Sequence, residues 1–259
     1  MVRRRRRRKA PVIAILVIIG CAIVLVIALV NIFRLQGEYK HVAEVNKKAV
    51  ESITEPAKID DGGGEQKEEF KYNHEAALKI NTDAKGMYRN DGTQTLLPVV
   101  QRPDDDDHYL HLGFDGEYSR GGTLFIAGEI KEGLDASHVI IYGHHMNDDS
   151  MFTKNNNYKD EDFYRQGTND TFYIYTPDVL REYKIFAVYN SDPDGPVYTI
   201  NMNEEELKQF ALECAERSMY NTGVDISKAS QIVTLSSCEA TDYNYRLVVQ
   251  GVLVKETPY

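Results

Sequence analysis

The chain has 259 residues, with 40 acidic against 30 basic side chains, a formal net charge of −10, three cysteines, 17 tyrosines and no tryptophan. Seven of the basic residues fall between Arg3 and Lys9, which leaves 23 basic against 40 acidic residues elsewhere and excludes a nucleic-acid-binding surface on the bulk of the protein. The length suits one ordinary domain with an appendage.

The basic block abuts twenty residues, Pro11 to Val30, that contain no charge and hardly a polar group. At ~1.5 Å per residue such a helix crosses ~30 Å, one hydrocarbon core, so residues 11–31 are predicted to be a transmembrane signal-anchor. The positive charge lies before the span, with only Arg34 and Lys40 closely after it, so residues 1–10 are expected in the cytoplasm and the remainder outside. A cleaved signal peptide would have a shorter apolar core and an Ala-x-Ala site, and neither is present. Ile18-Ile19-Gly20-Cys21 loosely resembles a lipoprotein cleavage box, but residues 22–30 stay apolar where a mature lipoprotein starts polar.

Gln36 to about Thr54 reads as a polar helix ending near Pro56, and Asp60 to Glu69, with three consecutive glycines, has the composition of a flexible linker. Residues 32–69 are therefore expected to form an extracytoplasmic stalk and linker, with a catalytic domain over 70–259. A short helix is predicted around Asn73 to Ile80. Candidate strands follow at Thr95–Val100, Thr123–Ala127, His138–Tyr142, Thr171–Thr176, Arg181–Asn190, Gln231–Ser236 and Arg246–Val254, each short, rich in β-branched or aromatic residues and bounded by turn formers. One sizeable helix interrupts them: Asn203 can cap it, Glu206 sits three residues later, and Leu207, Phe210, Ala211 and Cys214 share one face. The pattern predicts a mainly β fold, a barrel or sandwich with added helices.

Outside the span the cysteines are Cys214 and Cys238, which could pair, or one could be a working thiol. Cys214 sits on the apolar helix face and reads as a small buried residue. Cys238 ends the run Ile232-Val-Thr-Leu-Ser-Ser-Cys238, where a buried strand gives way to a polar loop, so its thiol can face a cleft while the strand holds it still. His144 and His145 follow the buried run Val139-Ile-Ile-Tyr-Gly143, and because neighbouring side chains on an extended segment point opposite ways, at most one of them can enter a given cleft to trade protons with a thiol. Arg246 opens the last strand. In a hairpin with the Cys238 strand its guanidinium lies at the thiol's end of the sheet, although spacing alone favours an ordinary strand-end charge facing solvent. His41, His74, His108, His111 and His138 have no comparable setting. No zinc-ligand spacing, phosphate-binding glycine loop or EF-hand is present, Asp104 to Asp107 reads as a solvated acidic loop, and neither a metal nor a cofactor is expected. Papain-like order is excluded because the histidine precedes the cysteine.

Taken in order, Leu97-Pro-Val-Val-Gln101, Tyr109-Leu-His-Leu-Gly-Phe-Asp-Gly116, Tyr142-Gly-His144-His-Met-Asn-Asp-Asp-Ser-Met-Phe152, Thr234-Leu-Ser-Ser-Cys238 and Arg246-Leu-Val-Val-Gln-Gly251 resemble a class B sortase over roughly three quarters of the chain. Two departures stand out: Gly86-Met-Tyr-Arg where the family often has Gly-Trp, and Ser237 where Thr is commoner. The resemblance implies an eight-stranded β-barrel, a long helix inserted before the Cys-bearing strand, and a cysteine transpeptidase on the outer face of a Gram-positive membrane. It implies Cys238 as nucleophile, His144 as acid/base and Arg246 as the oxyanion or substrate-positioning group, with Leu110, Tyr198, Ser236 and Glu239 lining a substrate groove. His145 receives no role. The implied partners are secreted proteins with a C-terminal sorting signal and an amine acceptor, in the family usually a peptidoglycan precursor. Two alternatives remain at this stage: a pilin-polymerising or mainly hydrolytic sortase, and a catalytically silent surface binding module.

Overall fold

The structure is a computed structural model that describes residues 10–60, 66–238 and 244–259. The chain forms α1 (Ala10–Ile53), β1 (Thr54–Asp60), β2 (Gln66–Tyr72), α2 (His74–Ile80), β3 (Ala84–Asn90), β4 (Thr95–Val100), β5 (Leu124–Ile126) and β6 (His138–Tyr142). The second half adds α3 (Glu161–Tyr164), β7 (Thr171–Tyr175), β8 (Val179–Ser191), α4 (Glu204–Arg217), β9 (Ile232–Cys238) and β10 (Arg246–Pro258). It divides into two compact units, Met1–His41 and Val42–Tyr259. Helix α1 is long and apolar enough to cross a membrane, and its large side chains from Ile13 to Phe33, all in the first unit, stand exposed.

In the second unit eight strands close a barrel in the order β10-β8-β7-β3-β4-β5-β6-β9, as the resemblance implied. The pairs β4·β5 and β6·β9 are parallel and the others antiparallel. The middle of β6 is apolar because it has a neighbour strand on each edge and packed side chains on both faces: Val139, Ile140 and Ile141 have no exposed surface. The 13-residue strands β8 and β10 bend around the barrel through register shifts at Gln250/Gly251 and Leu253/Lys255. A Cβ at Gly251 would clash with the Phe172 ring, so glycine is what lets β10 pass that close.

Helix α4 carries the predicted capping box: the Asn203 side chain accepts from the Glu206 amide at 3.0 Å, and Glu206 accepts from the Asn203 amide at 2.8 Å. Its face of Leu207, Phe210, Ala211 and Cys214 packs on Phe186, Ile232 and Val248 of the barrel wall. Burial of large apolar side chains such as Leu207 and Phe210 contributes ~1.5–3 kcal/mol each.

Two expectations need correction. Within the segment read as a stalk and flexible linker, residues 42–60 and 66–69 are regular structure of the second unit: Val42, Val45, Ala49 and Ile53 form a buried stripe at helical spacing, and β1 pairs antiparallel with β2. Phe70 stacks on Tyr175 at 4.7 Å, and Glu69 pairs with Arg89 at 2.7 Å, which anchors a strand whose charge-rich composition hides its fit. The glycines of the expected linker lie outside the described residues. The second correction is β3, which has no counterpart among the predicted strands. Gly86 sits against the Tyr175 carbonyl where a Cβ would clash, so Gly86-Met87-Tyr88-Arg89 makes an ordinary barrel strand without the family's Gly-Trp.

Candidate active site

Strand register brings the sequence-predicted groups to one end of the barrel. β6 and β9 run parallel with Tyr142 opposite Ser236, and the Gly143 amide continues the ladder to the Ser236 carbonyl at 3.1 Å. His144 and Cys238 are therefore each two residues beyond the same rung. Across β9, the antiparallel ladder to β10 sets Arg246 opposite Cys238. A Cβ on Gly143 would come within 2.5 Å of both Leu124 and Phe152, so only glycine lets the chain leave β6 beneath Phe152 and turn His144 to the rim.

A cleft of about 500 Å³ opens at this rim, lined among others by Leu110, Tyr142, His144, Tyr198, Ser236, Ser237 and Arg246. His144 Nε2 lies 2.7 Å from the Leu110 carbonyl. A carbonyl has no proton to give, so Nε2 carries the hydrogen and Nδ1 is the nitrogen left for chemistry. Burial pushes the His144 pKa down from its ordinary value, the Leu110 carbonyl opposes that shift, and His111 adds to it. His144 is thus held mainly neutral near pH 7. His145 points elsewhere, with Nδ1 2.9 Å from the Asn156 amide, as alternation on an extended segment requires.

The Leu110 carbonyl is itself held in place. Leu110 closes a single 3₁₀ turn, His108–Leu110, and Gly122, at φ +59°, approaches the Tyr109 and Leu110 carbonyls so closely that no Cβ fits there. The Tyr109 hydroxyl lies 2.9 Å from both Asn81 and Asp83, and the Thr123 amide donates to the Tyr109 carbonyl at 3.2 Å.

On the opposite wall Tyr198 stacks on Tyr142, with centroids 6.1 Å apart, and shares a 2.9 Å hydrogen bond with the Ser236 hydroxyl. Burial pushes the Tyr142 phenol up, so it stays protonated. The Ser237 hydroxyl is buried at the cleft and has no hydrogen-bond partner among the described residues. Asp106, Asp107 and Asp194 also line the cleft, and Asp106 braces its loop by accepting from the Gly128 amide at 2.6 Å. Among the described residues no group of three or more His, Cys, Asp or Glu side chains is placed to hold a metal.

Of the predicted site residues, His144, Arg246, Leu110, Tyr198 and Ser236 share this cleft, and the Cys238 backbone lies in the same ladder. Glu239 lies outside the described residues. Cys214 is unpaired and buried on α4, where burial pushes its thiol pKa up, the opposite of what a working thiol needs. Sequence reasoning missed His111, whose ring lies on His144. The two are 33 positions apart, and no local pattern links them.

A family model described as "Sortase domain" matches residues 91–254. Sortase B of Listeria monocytogenes is 31% identical over 222 residues, covering 84% of this chain and 87% of that protein. Sortase B of Staphylococcus aureus is 30% identical over 190 residues, covering 70% and 74%. Among solved structures, sortase B from Bacillus anthracis superposes with a TM-score of 0.70 at 27% identity, covering 84% of this chain and 98% of that one. A substrate complex of Staphylococcus aureus sortase B gives 0.63 at 28% identity, covering 70% and 84%.

Proposed function

The chain belongs to the sortase family of cysteine transpeptidases, and on that premise we propose that it cleaves a C-terminal sorting signal after Thr and passes the shortened protein to an amino group of a cell-wall precursor. The observation that carries this reading is the pair of registers, Tyr142 opposite Ser236 and Arg246 opposite Cys238, which converge on one cleft rim.

Cys238 is the nucleophile in this proposal, His144 the acid/base and Arg246 the group that steadies the oxyanion. Neutral His144 takes the thiol proton on Nδ1, and the thiolate attacks the threonine carbonyl. The Arg246 guanidinium, a planar fork of donors, holds the developing negative oxygen. As the carbon–nitrogen bond breaks, His144 returns the proton to the departing amine and a thioester remains on Cys238. The acceptor amine then gives a proton to His144, attacks the thioester and expels the thiolate, so one amide replaces another. Leu110, Tyr198, Ser236 and Glu239 contact the signal peptide.

Residues 11–31 form the anchor, with residues 1–10 cytoplasmic and the barrel outside. Anchoring beside a membrane-held substrate and a lipid-linked acceptor raises the effective concentration of both. The partners are then secreted proteins with a sorting signal and the peptidoglycan amine.

Mass spectrometry of the protein after incubation with a library of signal peptides and candidate amines tests the reading. An acyl adduct on Cys238 that transfers to an amine is expected, and Cys238→Ala forms none. Turnover by Cys238→Ala within tenfold of the parent chain would overturn the assignment.

A further inference from the structure

The segment that supplies the Leu110 carbonyl contributes a second contact to the same ring. His111 lies parallel to His144, with centroids 5.6 Å and planes 12° apart, and Tyr118 flanks His111 with a centroid separation of 6.3 Å. We propose that His111 is a positioning residue for His144, fixing its ring plane where the Leu110 carbonyl fixes its tautomer, and limiting by its own charge how readily His144 holds a second proton. The inference rests on His144 being the acid/base proposed above.

One hydrogen bond at Nε2 fixes a single atom of an imidazole and leaves the ring free to turn about the N···O axis. A stacked partner removes that rotation. The ring plane decides where Nδ1 points, and proton transfer depends steeply on that alignment. Because Leu110 and His111 are consecutive, one short turn braced by Gly122 delivers both restraints together.

The electrostatic part follows from the same placement. A neutral His111 leaves His144 free to accept a proton from the thiol, whereas an imidazolium stacked on it opposes that acceptance. The other charged groups lining the cleft are Asp106, Asp107 and Asp194, which favour a protonated His144, and Arg246, which opposes one; the phenols are Tyr142 and Tyr198. His111 differs from these in carrying its charge on a ring stacked against His144, with centroids 5.6 Å apart.

The test uses the full chain in detergent micelles with ring-labelled histidine. NMR titration gives the His144 midpoint, assigned by its loss in His144→Gln, and iodoacetamide alkylation of Cys238, resolved by peptide mass spectrometry, gives thiol reactivity. His111→Phe keeps a stacked ring without a charge and is expected to move the His144 midpoint upward. His111→Ala, which also loses the stack, is expected to slow alkylation by roughly three- to tenfold, and His111→Phe to recover most of that loss. An unmoved His144 midpoint in a folded His111→Phe protein overturns the inference, and that variant decides the matter if His111→Ala does not fold. Failure of Cys238 to react even in the parent chain would instead count against the proposed function, while the titration would still decide the role of His111.

Discussion

His138 opens β6 and His144 stands two residues past its end, so one strand carries a histidine into the barrel wall and another to the rim of the cleft. His138 is 1% exposed and both its nitrogens are in use: Nδ1 donates to the Thr199 carbonyl at 2.7 Å and Nε2 accepts from the Thr234 hydroxyl at 2.7 Å. The chain of bonds continues, with Gln250 donating to Thr234 at 2.9 Å and the Tyr189 hydroxyl donating to Gln250 at 3.0 Å. His144 has one nitrogen committed to Leu110 and, among the described residues, no hydrogen-bond partner for the other. Burial lowers the pKa of both rings, so burial alone does not tell them apart. The number of nitrogens that the fold itself consumes does.

The sharpest way to break that comparison is to exchange the effects of the two residues. His144→Gln is expected to lower turnover by about 10²–10⁴ while leaving the unfolding midpoint nearly unchanged, because the glutamine amide can still donate to Leu110. Equal losses of turnover in His144→Gln and His138→Gln, measured per folded molecule, would remove the distinction.

His138 makes its own prediction through acid stability. Its folded-state pKa is pushed down to about 4 by burial, below the ordinary value of 6.5. Between those values the unfolded chain binds the extra proton, so the stabilisation is fully present above pH 6.5 and is lost as the pH falls toward 4. The loss is on the order of 3 kcal/mol. Guanidinium unfolding at pH 7 and pH 4.5, followed by the tyrosine near-ultraviolet signal, reads it, and His138→Gln should flatten that part of the pH dependence. An identical pH slope in the variant would mean that other groups dominate acid unfolding.

Arg246→Lys tests the rim from the other side of the ladder. The charge survives but the planar fork is lost, and a fall of about 10–10² in kcat is expected, with a smaller change in KM. A selective rise in KM would move Arg246 from oxyanion to ground-state substrate contact.

These groups differ in how far the sequence announces them. β4 and β6 occupy their predicted spans, Thr95–Val100 and His138–Tyr142, because apolar runs bounded by turn residues leave little choice. Cys238, His144 and Arg246 were legible as strand ends, and their motifs carry the family. β3 was not, since Ala-Lys-Gly-Met-Tyr-Arg-Asn mixes a glycine and two cations into a strand whose fit depends on β4 and β7. The hairpin of β1 and β2 was hidden in the same way: its charges lie beside a glycine run, and its partners are far away in the sequence. The parallel rung between Tyr142 and Ser236, and the stack of His111 on His144, join segments that only the closed barrel brings together. Local pattern thus names the ends of strands, while register decides which ends meet.

Cys214 gives the finest test, because it belongs to the His138 side of the comparison although it is chemically a thiol like Cys238. Its Sγ lies 3.4 Å from the Tyr189 hydroxyl, and the same α4 face presents Phe210 to the His138 ring at 4.8 Å. If this region serves packing alone, Cys214→Ser should leave turnover and Cys238 alkylation unchanged and lower stability by about 1 kcal/mol, the cost of a buried hydroxyl that replaces a thiol beside an existing hydrogen bond. The variant still leaves Tyr189 a partner in Gln250, so the polar chain to His138 should persist and the acid-stability slope should match the parent protein. A loss of turnover in Cys214→Ser without a matching loss of stability would connect the α4 face to the cleft and show that the two ends of β6 do not act independently.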